Sequence, residues 1–374
     1  MEFRSCCNKE DREKAIKLIN RTFRGSRNLK ETMDKEFPLL LGENNLSNMF
    51  IAIDNGKVVG SISMYKSNIL IEGINLPVAS IGSVCTDENY RKRGIASKLL
   101  ILSEIKCLEE NIPVQIISGI LPIYKEYGAD KVGSIYHGEL ENLKSNIKYK
   151  IIDFKEELLC EAIKLYNKES LRHYRTKDEF KDLLKGSLVP WGNNEFEFVF
   201  IEKDGILKGY LYLQIIRKEG KIIIREFVGD REDIVNSLGN IMEKFKLNKI
   251  EFNISYRDSI LDILKLKNIN LDKRTQHQSI KTIDFKNLIS NLTPYFMQYM
   301  KKEQIDKFTI EEEEKGYAVK YKNDVLVLED NEQLNHLIFG DNTEIINKCD
   351  GELKTLLKNI FPIPIPCIEG INYQ

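Results

Sequence analysis

The residues best suited to chemistry lie in one stretch, IGSVCTDENYRKRGIASKLLILSEIKCL, from Ile81 to Leu108. Within it Arg91, Gly94 and Ala96 fit the pattern R-x-x-G-x-A, with Lys92 and Arg93 adding charge. An apolar run precedes the pattern, and a helix-like run with Leu99, Leu100, Leu102 and Ile105 follows it. This arrangement suits an anion. The first amides of a helix have no partner in the helix, and its dipole makes that end positive. A glycine there permits a turn that a side chain would block and lets a phosphate group approach the backbone. Alone, such a pattern arises by chance about once in every few chains of this length. Its position after a buried strand and before a helix makes it specific.

Several elements must position that turn. Asp11 to Phe23 carries apolar residues at Ala15, Ile16, Ile19 and Phe23, a helical period. The segment MFIAIDNGKVVGSISMY, from Met49, predicts two strands joined at Asp54-Asn55-Gly56. A third strand is expected over Asn68 to Glu72 and a fourth over Leu76 to Thr86. The basic turn then opens a helix from about Gly94 to Asn111, followed by a strand from Val114 to Ser118 and a short helix near Pro122. The order predicts an α+β layer rather than a doubly wound sheet.

The middle third repeats this plan. FIEKDGILKGYLYL, from Phe200, matches FIAIDNGKVVGSISM, from Phe50, in its Phe, Ile, Asp and two Gly positions. That separation indicates a duplicated domain. The second copy continues IIIREFVGDREDIVNSLGNIMEKF, a strand entering a helix without the glycine turn. The remainder reads as a helix from Lys286 to Lys301, strands KFTIEEE, YAVKYKN and VLVLED, and helices near Glu332 and Glu352. The final IFPIPIPCIEGINYQ, with three prolines at alternate positions, must run extended, and it is apolar enough to pack against the body.

Composition narrows the partners. The 374 residues are 42% apolar and 30% charged with a net charge of −1, so no global field draws in nucleic acid. Seven cysteines without C-x-x-C spacing and four scattered histidines argue against a metal centre or a disulfide framework. No apolar stretch approaches the ~20 residues of a membrane span, and the N-terminus lacks a signal-peptide core. A cytoplasmic location is expected.

The Arg91 segment resembles the acetyl-CoA-binding motif of the GNAT superfamily, Q/R-x-x-G-x-G/A. Downstream, SGILPIYKEYGADKVG, from Ser118, resembles that superfamily's next motif. The whole chain is similar to the enhanced intracellular survival family, which has two fused GNAT domains and a sterol-carrier-like C-terminal domain. The resemblance implies a GNAT domain over 1–146, a second without the CoA motif over 147–285, and the sterol-carrier-like α+β domain over 286–374. It implies acetyl-CoA as co-substrate and an amine acceptor, whether polyamine, aminoglycoside or lysine-like, and it is compatible with a homo-oligomer. Backbone groups of Val84, Cys85 and Thr86 would pair with the pantetheine arm. Amides over Arg91, Lys92, Arg93, Gly94, Ile95, Ala96 and Ser97 would hold the pyrophosphate, and Gly119 and Ile120 would lie near the thioester.

By the same resemblance Tyr124 would be the general acid, with Tyr127 as its competitor, and the α-carboxylate of Gln374 would enter the site as a base. A water chain is the alternative base. Cys85 reads as a buried strand cysteine rather than a nucleophile, since nothing beside it in sequence lowers its pKa. Trp191 reads as a packing anchor, with a pocket wall as the alternative, and Glu31, Asp34 and Glu36 could face a cationic amine or simply solvent. The alternative to an enzyme is a non-catalytic protein that holds acyl-CoA or lipid on the same scaffold.

Overall fold

The computed structural model describes residues 1–145 and 147–372. Its first third contains strands β1 (Glu2–Ser5), β2 (Met49–Asp54), β3 (Lys57–Ile71), β4 (Ile74–Thr86) and β5 (Val114–Ser118). Helices α1 (Lys9–Phe23), α2 (Met33–Glu36), α3 (Ile95–Glu109) and α4 (Pro122–Glu126) lie among them in sequence. The middle contains β6 (Ser134–Glu141), β7 (Lys150–Asp153), β8 (Leu171–His173), β9 (Glu195–Lys203), β10 (Ile206–Ile216), β11 (Lys221–Gly229), β12 (Lys249–Ser255) and β13 (Leu271–Thr275). Its helices are α5 (Leu159–Tyr166), α6 (Lys177–Ser187), α7 (Arg231–Phe245) and α8 (Ile260–Leu266).

The last part begins at β14 (Gln278–Thr282) and α9 (Phe285–Tyr299). It continues through α10 (Lys302–Ile305), β15 (Phe308–Glu312), β16 (Tyr317–Tyr321) and β17 (Asp324–Leu328) to α11 (Asn331–Phe339), α12 (Thr343–Ile346) and α13 (Gly351–Ile360). One strand differs from expectation. Asn68 to Glu72 does not form a separate strand, because β3 runs unbroken from Lys57 to Ile71 and turns only at Gly73, where φ is +87°.

The chain forms two compact units, neither of them a continuous stretch. The first takes residues 1–6, 47–134 and 275–366; the second takes 7–46, 135–274 and 367–374. In the first unit the strand order is β1-β2-β3-β4-β5-β14. The β2–β3 and β3–β4 pairs are antiparallel, β4–β5 is parallel, and β14 closes the sheet antiparallel to β5. In the second unit the order β7-β9-β10-β11-β12-β6 repeats that plan, again with one parallel pair, β11–β12, and β13 flanks β6.

The closing strands are exchanged along the sequence. β6, which follows the first copy, pairs with β12, and β14, which follows the second, pairs with β5. Strand pairing is non-local, and hydrophobic alternation gives the same pattern whichever sheet a strand joins.

Each sheet buries one face under the helix of its parallel crossover, α3 between β4 and β5 and α7 between β11 and β12. In the first unit Phe50, Ala52, Ile62, Met64, Ala79, Ile81 and Ile117 pack against Ile95, Leu99 and Leu100 of α3. Ile105, expected on that apolar face, is instead exposed, as are Ile101 and Leu108. In the second unit Val199, Leu211, Leu213, Ile222 and Ile224 pack under α7 and α8. That sheet's other face carries Phe198, Phe200, Tyr210 and Tyr212 against α5 and α6.

The C-terminal stretch of the first unit adds an antiparallel sheet, β15-β16-β17, with α9, α11 and α13. Asn335 fastens it by donating to Asp130 at 2.7 Å and accepting from Thr282 at 2.8 Å. The proline-rich run after α13 is extended and buried through Ile363 and Ile365, as its sequence predicts.

Candidate active site

The site grows from the point where β4 and β5 part. They pair in parallel from Val78↔Val114 to Ile81↔Ile117, the last pair among the described residues. Just beyond, β4 bulges: Ser61 faces Cys85 and Ser63 faces Gly82, so two β4 residues stand opposite Ile62, and Ser83 takes a φ of +54°. A bulge bends its strand and re-aims the residues after it. Val84, Cys85 and Thr86 therefore run along a gap with a strand on one side only. An extended ligand can pair with such an edge as an added strand would. The Cys85 side chain is buried, which fits a structural cysteine.

The basic turn follows directly, and the first hairpin braces it. Lys57 meets the buried Asp87 carboxylate at 2.6 Å, while Asp87 caps the next turn by accepting from the Asn89 amide at 3.1 Å. Tyr90 donates to Asp54 at 3.0 Å, and the Arg93 guanidinium lies 4.8 Å from the centre of the Tyr90 ring. That hydrogen bond raises the Tyr90 pKa above its ordinary value. Gly60 brings the turn close to the sheet, because a Cβ there would stand 2.5 Å from Ile95 Cγ2. Asp54, Lys57 and Gly60 read in the sequence only as hairpin residues, since their partners lie some thirty residues away.

Gly94 is the N-cap of α3, with φ +71° in the left-handed region and no side-chain hydrogen bond to the first turn. Nothing lies within 4 Å of where its Cβ would be. Arg91, Lys92, Arg93, Ser97 and Lys98 are exposed around it, Ala96 is half-buried, and Ile95 is buried. No acidic residue occurs between Glu88 and Glu104. The opening amides of α3 thus face outward in a positive field, which is what a pyrophosphate requires.

The second unit shows the opposite arrangement at the equivalent helix. Asp230 caps α7 by accepting from the Asp233 amide at 2.9 Å, and Glu232 and Asp233 sit in the first turn. The amide is occupied and the field is negative. We expect one site per chain for a pyrophosphate-bearing ligand. Isothermal titration should give a stoichiometry near one, and a second equivalent site would contradict this account of α7.

β5 ends at Ser118, and the chain turns at Gly119, where φ is +103°. The Gly119 carbonyl accepts from Ser279 Oγ at 2.9 Å, and Ile120 is exposed beside it. Pro122 opens α4, whose Tyr124 is buried with its ring at Gly119: a Cβ on that glycine would lie 3.7 Å from Tyr124 Cε2. The fold therefore brings Tyr124 to the end of β5, beside Gly119.

Tyr127 is committed elsewhere. Its hydroxyl donates to Gln115 Oε1 at 2.9 Å and lies 3.2 Å from the Leu100 carbonyl, and Lys281 sits 3.7 Å over its ring. Burial and the nearby Glu104 carboxylate drive its pKa far above the ordinary phenol value. Tyr127 is a packing residue.

The other candidates also have places. Glu36 is buried, with its oxygens held by Arg24 and Thr32, so it faces no ligand. Arg24 also lies 5.2 Å from the ring centre of the half-buried Trp191. All seven cysteines are free thiols, and no metal-holding cluster occurs among the described residues. Gln374 lies outside the described residues; the tail is described through Asn372.

Comparison with known proteins agrees with this geometry. A family model for the acetyltransferase (GNAT) domain matches residues 4–132. No curated protein matches the sequence. Among solved structures, a GCN5-related N-acetyltransferase from Anabaena variabilis is similar at TM-score 0.65 and 13% identity, covering 98% of each chain. A probable N-acyltransferase from Enterococcus faecalis is similar at 0.64 and 11%, covering 97% of each chain. Eis1 from Mycobacterium abscessus is similar at 0.63 and 11%, covering 99% of this chain and 98% of the other. At these identities the likeness establishes the fold.

Proposed function

We propose, on the premise that residues 4–132 are a GNAT acetyltransferase domain, that this protein moves the acetyl group of acetyl-CoA directly to an amine. The observation that carries the reading is the left-handed, side-chain-free N-cap at Gly94, set in a basic turn beside the parted strands β4 and β5. The residues fit acetyl-CoA. Amides over Arg91 to Ser97 take the pyrophosphate, the edge at Val84, Cys85 and Thr86 takes the pantetheine arm, and Gly119 and Ile120 lie near the thioester.

Transfer needs an amine that has lost a proton, a hydrogen-bond donor for the oxyanion, and an acid for the leaving thiolate. The amine nitrogen attacks the acetyl carbon, and the carbonyl electrons move to oxygen, where a backbone N–H in the Val84 to Thr86 segment donates. Collapse breaks the C–S bond, and the pair left on sulfur takes a proton from Tyr124. A phenol, with a pKa of about 10, holds that proton at neutral pH. The ammonium gives its first proton to the α-carboxylate of Gln374 or to a water chain before attack, and the second, lost from nitrogen as the amide forms, restores the Tyr124 phenol.

The acceptor class in this reading is a polyamine, an aminoglycoside or a lysine-like amine. We also assign to the sequence segments 1–146, 147–285 and 286–374 the roles of first GNAT copy, second copy and appended sterol-carrier-like domain. These are segments of descent, distinct from the compact units. A cytoplasmic location completes the reading, which is compatible with a homo-oligomer. No helix among the described residues is long and apolar enough to cross a membrane.

The test is an amine panel with acetyl-CoA, followed by free thiol. Thiol release with at least one of these amine classes is expected. Tight CoA binding with no transfer across the panel would instead favour a non-catalytic acyl-CoA or lipid binder.

A further inference from the structure

The second sheet parts at the same place as the first. β11 and β12 pair from Lys221↔Lys249 to Ile224↔Phe252, so Arg225, Glu226 and Asn253 stand just beyond the last pair. All three hold the C-terminal tail. Glu369 accepts from Asn253 Nδ2 at 2.8 Å and meets Arg225 at 3.1 Å. The Ile371 amide donates to Glu226 Oε2 at 3.1 Å. Gly370 passes so close that a Cβ there would stand 2.3 Å from the same oxygen.

A buried pair organises the contact. Arg175 forks onto Glu226 at 3.0 and 2.7 Å, and its third nitrogen, Nε, donates to the Asn372 side chain. Tyr210 donates to Glu226 at 2.7 Å, and the guanidinium lies 3.8 Å from the Tyr166 ring centre. A bidentate, ring-stacked arginine fixes its partners in direction as well as in charge. Ile371 is buried among Tyr166, Phe180 and Tyr210, on the sheet face away from α7.

We propose that the second sheet is a peptide-binding site whose ligand is the chain's own C-terminal segment, Cys367 to Asn372. The duplicated fold thus kept its strand parting and filled it with a peptide, while Asp230 closed the anion end. The site reads one backbone amide, a glycine, an acidic side chain and a carboxamide. This assignment is independent of the role proposed for Gln374, which lies outside the described residues.

Hydrogen exchange of the full-length chain, followed by mass spectrometry, tests it. Gly370→Ala with Asn372→Ala leaves Arg175 and Glu226 paired and alters only the bound segment. The tail peptide should exchange at least tenfold faster in this variant, with peptides from β10, β11 and α7 unchanged. Glu226→Gln should speed tail exchange similarly. A tail exchanging at the unaltered rate in the double variant would overturn the proposal. Loss of protection throughout the unit would overturn it equally, by making the tail part of the core rather than a bound segment.

Discussion

Gly94→Asp should abolish useful CoA binding while leaving the fold intact. Gly94 has φ +71° and open space where a Cβ would be, and aspartate tolerates the left-handed region better than most residues. The new carboxylate would stand at the N-terminus of α3 beside the amides meant for phosphate, repelling it and reversing the local field. A lost charged hydrogen bond together with the added repulsion is worth about 3 kcal/mol, or on the order of a hundredfold in Kd. Titration with CoA measures the affinity, and circular dichroism checks the fold. Unchanged affinity would mean that the turn at Gly94 does not hold the pyrophosphate.

Tyr124→Phe should separate binding from chemistry. The phenyl ring would keep its place beside Gly119, so the affinity for acetyl-CoA should not change. A general acid contributes on the order of 10²- to 10⁴-fold to its step, and kcat should fall within that range. The departing thiolate would then leave without a proton, so the loss should be greatest at high pH, where solvent is the poorer acid. Steady-state kinetics and a CoA titration on one preparation decide the matter. Full activity would return Tyr124 to the role Tyr127 already has, that of a core residue.

Much of this site was legible because it is local. The turn from Arg91 to Ala96, the strand from Val114 to Ser118 and the helix at Pro122 are each set by neighbours in sequence, and all three lie where their patterns place them. The second copy's lack of a glycine turn was legible for the same reason, and the structure adds that Asp230 caps the helix there. What was hidden depends on distant partners. The exchange of β6 and β14 cannot be read from alternation, because each strand satisfies either sheet. The tail's apolar prolines predicted burial but not its landing on Arg175 and Glu226, whose own pairing spans 51 positions. Glu36 read as an acid facing either a cationic amine or solvent, because its partner Arg24 lies twelve positions away.

The most direct test of the central claim is a single time course with acetyl-CoA and a reactive amine from the panel, following free thiol and acetylated amine together. Direct transfer predicts that both appear at equal rates and in a one-to-one ratio, and that neither appears when the amine is withheld. Thiol released without acetylated amine, or saturating CoA binding with no thiol released, would contradict it.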